Sequence, residues 1–180
     1  PLSFESGIFG APVGRVVAGV DGADLKTLAR GWLADGLWLV SARIMADDTA
    51  AAELLKDANF TTIETLVTLE APLIGSVVMP DDVALATAAD RPACLGIAGE
   101  AFSHDRFHAD RRVPKEAADR LKKHWVANSL DGRADAVLVA GGESGALGFV
   151  TCMVHDDAAV IDLIAVSVSQ QGRGIGKRLV

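Results

Sequence analysis

The sequence contains no tyrosine at all, and its few aromatic residues are three tryptophans and six phenylalanines. A phenolic acid or base therefore cannot come from these 180 residues. Cysteine is nearly as scarce. Cys94 and Cys152 lie far apart in apolar stretches, which excludes a disulfide framework and cysteine-type metal spacing. Two reduced core thiols, no metal and a cytoplasmic location are the expectation. No apolar run reaches membrane-spanning length without a charge or a Gly/Pro break, so no membrane partner is expected. No signal peptide is recognisable, and the opening on Pro1 rather than Met fits missing or processed N-terminal sequence. Basic residues are outnumbered, 17 against 24 acidic, for a net charge of -7. That balance argues against a nucleic-acid partner. An anionic ligand stays compatible with it, because converging backbone donors act locally.

Half of the residues are hydrophobic, enough for a core in one domain or one domain with a smaller appended unit. Over residues 1–75 the pattern predicts a small α/β unit. Val13–Val20 reads as a strand, and Asp24–Ala34 as a helix with Asp21 or Asp24 as N-cap. Leu37–Ile44 reads as a buried strand, Asp48–Ala58 as a helix, and Phe60–Leu69 as a half-buried strand by alternation. Ala71–Asp82, with Pro72, Gly75 and Pro80, has linker punctuation. From residue 81 to 180 a second unit is predicted. Val83–Ala88 is a strand and Arg91–Phe102 a helix with Pro92 in its first turn. Ser103–Val113 is a polar loop, and Pro114–Leu130 a helix with Ala118, Leu121 and Trp125 facing the core. Arg120, Lys122 and Lys123 read as its solvated face. Ala136–Ala140, Ala146–Val154 and Val160–Val168 then form antiparallel strands joined by GGES and HDDA turns, and a helix begins before Val180.

The segment Leu163–Val180, LIAVSVSQQGRGIGKRLV, carries the chemistry. Gly172, Gly174 and Gly176 let backbone approach a ligand closely. At the start of a helix their amides make a seat for a pyrophosphate, with Arg173, Lys177 and Arg178 adding positive charge. A Walker loop fails at Gln171 and Arg178, where Gly and Ser/Thr belong. A dinucleotide fingerprint fails at Lys177, where its third glycine belongs.

Gln171-Gly172-Arg173-Gly174-Ile175-Gly176 fits the signature Gln/Arg-x-x-Gly-x-Gly/Ala, and Leu163–Val166 fits the strand that leads into it. Together with the β-α-α-β-β-β-α order of residues 83–180, the chain resembles the GCN5-related N-acetyltransferase (GNAT) superfamily. The opening FESGIFG and the segment from Ala101 to Leu130 resemble, more loosely, the dTDP-fucosamine (dTDP-4-amino-4,6-dideoxygalactose) acetyltransferase group. The resemblance implies an α/β (α+β) fold, with a mixed, mostly antiparallel sheet flanked by helices after a small N-terminal α/β unit. It implies acetyl-CoA as cosubstrate and a small-molecule amine as acceptor, in the looser resemblance a nucleotide sugar. Other amines (a peptide N-terminus, a polyamine, an antibiotic) and a non-catalytic coenzyme A-binding module are the alternatives.

Carried over residue by residue, Ile164, Ala165, Val166 and Val168 would pair with the pantetheine arm and the acetyl carbonyl. Gln171, Gly172, Arg173, Gly174, Ile175, Gly176 and Lys177 would hold the pyrophosphate. Candidate bases for the amine are Asp162 first, then His155, Glu143 and Asp157; alternation from Ile164 and Val166 places Asp162 on their face. Phe102, Arg106 and His108 could bind the acceptor, stacking a ring and gripping phosphate. Family members continue past the motif helix and often carry a catalytic tyrosine there. On this reading the chain is a truncated piece of low activity, whose motif strand is an open sheet edge that invites self-association as a homodimer.

Overall fold

A computed structural model describes residues 2–17, 25–72, 75, 78–142 and 145–180. The chain divides into two compact units, Pro1–Val67 and Thr68–Val180. The fold is mixed α/β: among the described residues the first unit carries a two-stranded parallel sheet and the second a four-stranded antiparallel sheet.

In the first unit, α1 (Ser3–Phe9) precedes β1 (Val13–Val16), α2 (Leu25–Ala34), β2 (Leu39–Ala42) and α3 (Thr49–Asp57). Strands β1 and β2 pair in parallel from Val13↔Leu39 to Val16↔Ala42. Helix α1 was not expected from the sequence. Ser6 Oγ explains how so short a helix is fixed, because it donates to the Leu2 carbonyl and accepts from the Val13 amide. Asp48 caps α3 through the Ala51 amide at 3.0 Å, as its residue type favours. The proposed caps Asp21 and Asp24 lie outside the described residues, as do residues 18–20 of the first strand expectation.

The strand expected over Phe60–Leu69 is corrected. The Phe60 amide closes the end of α3 on Leu55 O at 2.9 Å, and its ring packs edge-on against Trp32. Beyond it the later apolar members of the alternation stay in solvent, with Val67 71% and Leu69 88% exposed. Alternation makes a strand only where an edge is available to pair with and a face to bury, and here neither is used.

In the second unit, β3 (Val83–Leu85) leads to α4 (Arg91–Ala98), α5 (Arg106–Ala109) and α6 (Lys115–Asn128). Strands β4 (Ala136–Gly142), β5 (Gly145–His155) and β6 (Ala158–Val166) follow, and α7 (Ile175–Leu179) comes last. The sheet order is β3-β4-β5-β6, all antiparallel. Helix α4 stops at Ala98, short of the expected Phe102, and α5 interrupts what read as a polar loop. Its Phe107, with Asp110 and Val113 nearby, is buried. The HDDA turn is a two-residue hairpin, with Asp156 at φ 51°.

Strand β5 is the axis of this unit. Phe149 on one face joins Cys94, Ile97, Ala98 and Val126 from α4 and α6. Val150 on the other joins Val83, Ala140, Ile175 and Leu179, so α7 covers the opposite face. Gly148 makes that seating of α7 feasible. A Cβ there would stand 3.0 Å from the Ala165 carbonyl oxygen and 3.1 and 3.2 Å from side-chain atoms of Ile175 and Leu179. Gly148→Val is therefore expected to destabilise the protein by about 1–3 kcal/mol, measured as a lower urea midpoint at unchanged m-value. A wild-type midpoint would show that α7 does not rest on β5.

Candidate functional site

The C-terminal half of β6 and the loop after it place the motif residues together. Ser167 donates its amide to Leu147 O at 2.8 Å, and this bond sets the phase of the β5–β6 ladder. In an antiparallel pair hydrogen-bonded and non-hydrogen-bonded positions alternate. Ala165, opposite Phe149, therefore turns its backbone groups toward β5, whereas Ile164 and Val166, opposite Val150 and Gly148, turn theirs outward. Among the described residues no strand pairs with that outer edge. Gln171 folds back so that its Nε2 donates to the outward Val166 carbonyl at 3.2 Å. The outward amides of Ile164 and Val166 and the carbonyl of Ile164 thus line the edge.

That phase extends only as far as a bulge, where the register changes by one residue. Thr151 pairs with Leu163 but Cys152 pairs with Ile161, leaving Asp162 as an extra residue in β6. Thr151 is fully buried, and its Oγ1 accepts the Leu163 amide at 3.0 Å. Bulges of this kind re-aim the side chains beside them. No sequence signal marked Thr151, because one threonine in an apolar strand reads as ordinary β-propensity.

After β6, Val168 sits in a 3-10 turn spanning Val168–Gln170 rather than on the strand, with its side chain exposed. Gly172 and Gly174 take left-handed φ values of 77° and 76°, which L side chains resist. The chain thereby curls so that no acceptor among the described residues takes the amide hydrogens of residues 172–177. Consecutive free amides of this kind form an anion-binding concavity. Helix α7 has only five residues, so its dipole adds little and the loop amides dominate. Arg173 and Lys177 are exposed beside them. Arg178 is not part of that free charge, since its Nε and Nη2 both lie 3.0 Å from Asp82 Oδ2.

The candidate bases are not brought to this edge as a group. Asp162 holds Arg133 Nη1 at 2.6 Å. As the bulge residue it also breaks the alternation that placed it on the face of Ile164 and Val166. His155 ends β5 opposite Ala158. Six residues of strand separate Ala158 from Ile164, roughly 20 Å. Asp157 shares that distant hairpin, and Glu143 lies outside the described residues.

Phe102, Arg106 and His108 stand on the α4/α6 side of the sheet. Phe102 is half-buried against the core that holds Leu163 and Ala165. The Arg106 guanidinium lies 4.3 Å from the Phe107 ring centroid. The His108 side chain is 4% exposed, with Nδ1 2.5 Å from Asp105 Oδ2 and Nε2 3.0 Å from Asp119 Oδ1. Both contacts are satisfied together when both ring nitrogens carry hydrogen. Lys122, expected on a solvated face, is instead buried, 3.4 Å from Asp105 and 4.5 Å from the Trp125 ring centroid. Its long stem reaches the charge pair while covering apolar surface. This ionic cluster fastens α5 to α6 and occupies His108. The i,i+3 spacing of Asp105 with His108 and the i,i+4 spacing of Lys115 with Asp119 are the signal that could have revealed it.

Burial pushes the Asp105 carboxyl up, but the Lys122 charge, the His108 hydrogen bond and the Phe107 amide together outweigh it, and it titrates below the ordinary carboxylate range. Asp119 follows the same balance, with Lys115 and His108 overcoming its desolvation. The two thiols are inert by comparison. Burial, with the Asp90 charge, pushes Cys94 up to about 11, and burial also raises Cys152.

No protein-family model matches the chain. The chain is 29% identical over 90 residues to the spore coat polysaccharide biosynthesis protein SpsD of Bacillus subtilis (strain 168). The match takes in 50% of the chain and 31% of SpsD. The similarity is to a polysaccharide biosynthesis protein. Among the described residues no helix is long and apolar enough to cross a membrane.

A carboxyl with a depressed folded value adds stability above its unfolded value, and loses it as pH falls through the folded one. Stability is accordingly expected to hold from pH 7 to about 4.5 and to fall as pH drops below about 3.9, the unfolded value for Asp. His108→Ala, which leaves two carboxylates facing each other, is expected to cost about 3 kcal/mol and to flatten part of that fall. Urea midpoints measured between pH 7 and 3 check both. An identical acid profile in wild type and variant would refute the assignment.

Proposed function

We propose that the chain belongs to an acetyl-CoA-dependent N-acetyltransferase that acts on a primary amine of a small molecule. One juxtaposition carries this reading. The outward backbone groups of Ile164 and Val166 lie directly before a run of unpaired amides at residues 172–177. A ligand with an amide-bearing arm and a pyrophosphate matches both halves, since the strand edge offers alternating donors and acceptors and the loop offers donors only. Acetyl-CoA supplies an activated thioester to such a site. The Ile164 and Val166 edge would orient the arm, the amides of Gly172–Lys177 would hold the diphosphate, and Arg173 and Lys177 would add charge. In the transfer, an amine nitrogen attacks the thioester carbon, the carbon–sulfur bond breaks and the sulfur leaves as thiolate. The nitrogen gives up a proton and the departing thiolate takes one up through solvent, so that an amide and a free thiol are the products.

The similarity to a polysaccharide biosynthesis protein supports a sugar-related enzyme. It favours an amino sugar, carried on dTDP in the most specific form of the proposal, over a peptide N-terminus, a polyamine or an antibiotic. A cytoplasmic location suits a nucleotide-sugar acceptor. A second reading, a coenzyme A-binding module without catalysis, is favoured by the pairing of Asp162 with Arg133 and by the distance of His155.

The test is calorimetric titration of the full-length protein with acetyl-CoA, followed by thiol release with a dTDP-4-amino sugar, spermidine and a peptide. Binding and thiol release with the amino sugar are expected. Binding with no release on any amine would establish the second reading, and no binding would overturn both. Proline is tolerated where an edge N–H points outward. Ile164→Pro should therefore fold yet weaken acetyl-CoA binding about tenfold through the lost donor.

A further inference from the structure

Arg178 has no part in the motif that aligns the glycines, yet it joins the loop to the far side of the sheet. Its Nη1 donates to the Arg173 carbonyl at 3.3 Å, while Nε and Nη2 hold Asp82 Oδ2. Asp82 is itself fixed, because its carbonyl accepts the Gly141 amide at 2.8 Å and β3 begins at the next residue. A continuous path of bonds therefore runs from β3 and β4 through Asp82 and Arg178 to the peptide between Arg173 and Gly174. Carbonyl and amide of a trans peptide point in opposite directions. Holding the Arg173 carbonyl toward the guanidinium accordingly turns the Gly174 amide away from it, into the set of unpaired donors. Gly174 at φ 76° has little intrinsic preference between this orientation and its flip, so the orientation needs an external anchor.

We infer that Arg178, anchored by Asp82, is a positioning residue that presents the Gly174 amide to the diphosphate of coenzyme A, and is not itself a phosphate ligand. The inference rests on the acetyl-CoA reading above. Its consequence is a particular sign for Asp82. If Arg178 bound phosphate directly, Asp82 would compete for it, and removing the carboxylate would tighten binding. As an anchor, Asp82 must be present for binding to be tight.

Dissociation constants for acetyl-CoA and for S-acetylpantetheine, which lacks the diphosphate, would be measured by calorimetry on the full-length protein and on Asp82→Asn, Arg178→Ala and Arg178→Lys. Both Asp82→Asn and Arg178→Ala are expected to weaken acetyl-CoA about fivefold, the scale of a half-exposed ion pair, and to leave S-acetylpantetheine unchanged. Arg178→Lys, which keeps the charge but loses the two-pronged grip, should behave like Arg178→Ala. Unchanged or tighter acetyl-CoA binding by Asp82→Asn would overturn the inference, as would wild-type affinity in Arg178→Lys. Equal losses for both ligands would reduce the pair to general stability and overturn it too. If wild type binds neither ligand, the acetyl-CoA reading fails instead, and the two failures are distinct.

Discussion

The bond from the Ser167 amide to the Leu147 carbonyl fixes which backbone groups of β6 face β5 and which face out. A ladder has only two phases, and a shift of one residue would exchange the roles of Ala165 and Val166. Side-chain packing enforces the same phase. Leu163 and Ala165 are buried with Phe149 on the α4/α6 face, whereas Ile164 and Val166 pack with Val150 beneath α7. The residues that present backbone at the open edge are thus the ones whose side chains seat the glycine-loop helix. Burial of Ile175 and Leu179 against β5 then places the loop within reach of that edge, and Gly148 permits the approach. Core packing and the backbone groups left open at the edge are consequences of one register.

Charge is distributed by the same economy. The chain is acidic overall, yet the glycine loop keeps Arg173 and Lys177 exposed because the nearby carboxylates are already committed. Asp82 is held by Arg178, and Asp162 by Arg133. On the other face, Asp105 and Asp119 are absorbed by His108, Lys115 and Lys122. A net charge of -7 therefore says little about the field at the loop, where amide dipoles and two local cations act at short range.

The strand and helix order of the second unit was legible because its elements are long and their apolar runs unbroken. The strands over Ala136–Ala140, Ala146–Val154 and Val160–Val168 appear with boundaries shifted by at most two residues. Short elements were less so. Helix α1 depends on one serine hydroxyl bonding across to β1, and α5 on the Asp105 cap and a buried Phe107. Neither has a period long enough to stand out from loop sequence. Phe60–Leu69 has the opposite fault, since its alternation is clear but a strand also requires a neighbour.

Backbone conformation and side-chain placement differ in how far sequence can locate them. The glycines at 172 and 174 declare their left-handed geometry because few other residues tolerate it, so the loop could be placed residue by residue. The acid–base candidates were ranked by alternation along β6, and alternation holds only while the strand is regular. The bulge at Asp162, stabilised by Thr151 on the neighbouring strand β5, displaces that ranking. A bulge arises from the pairing of two strands, so neither strand's own pattern contains it. Side-chain chemistry on this sheet is therefore decided by inter-strand register, and the donor loop by local conformation.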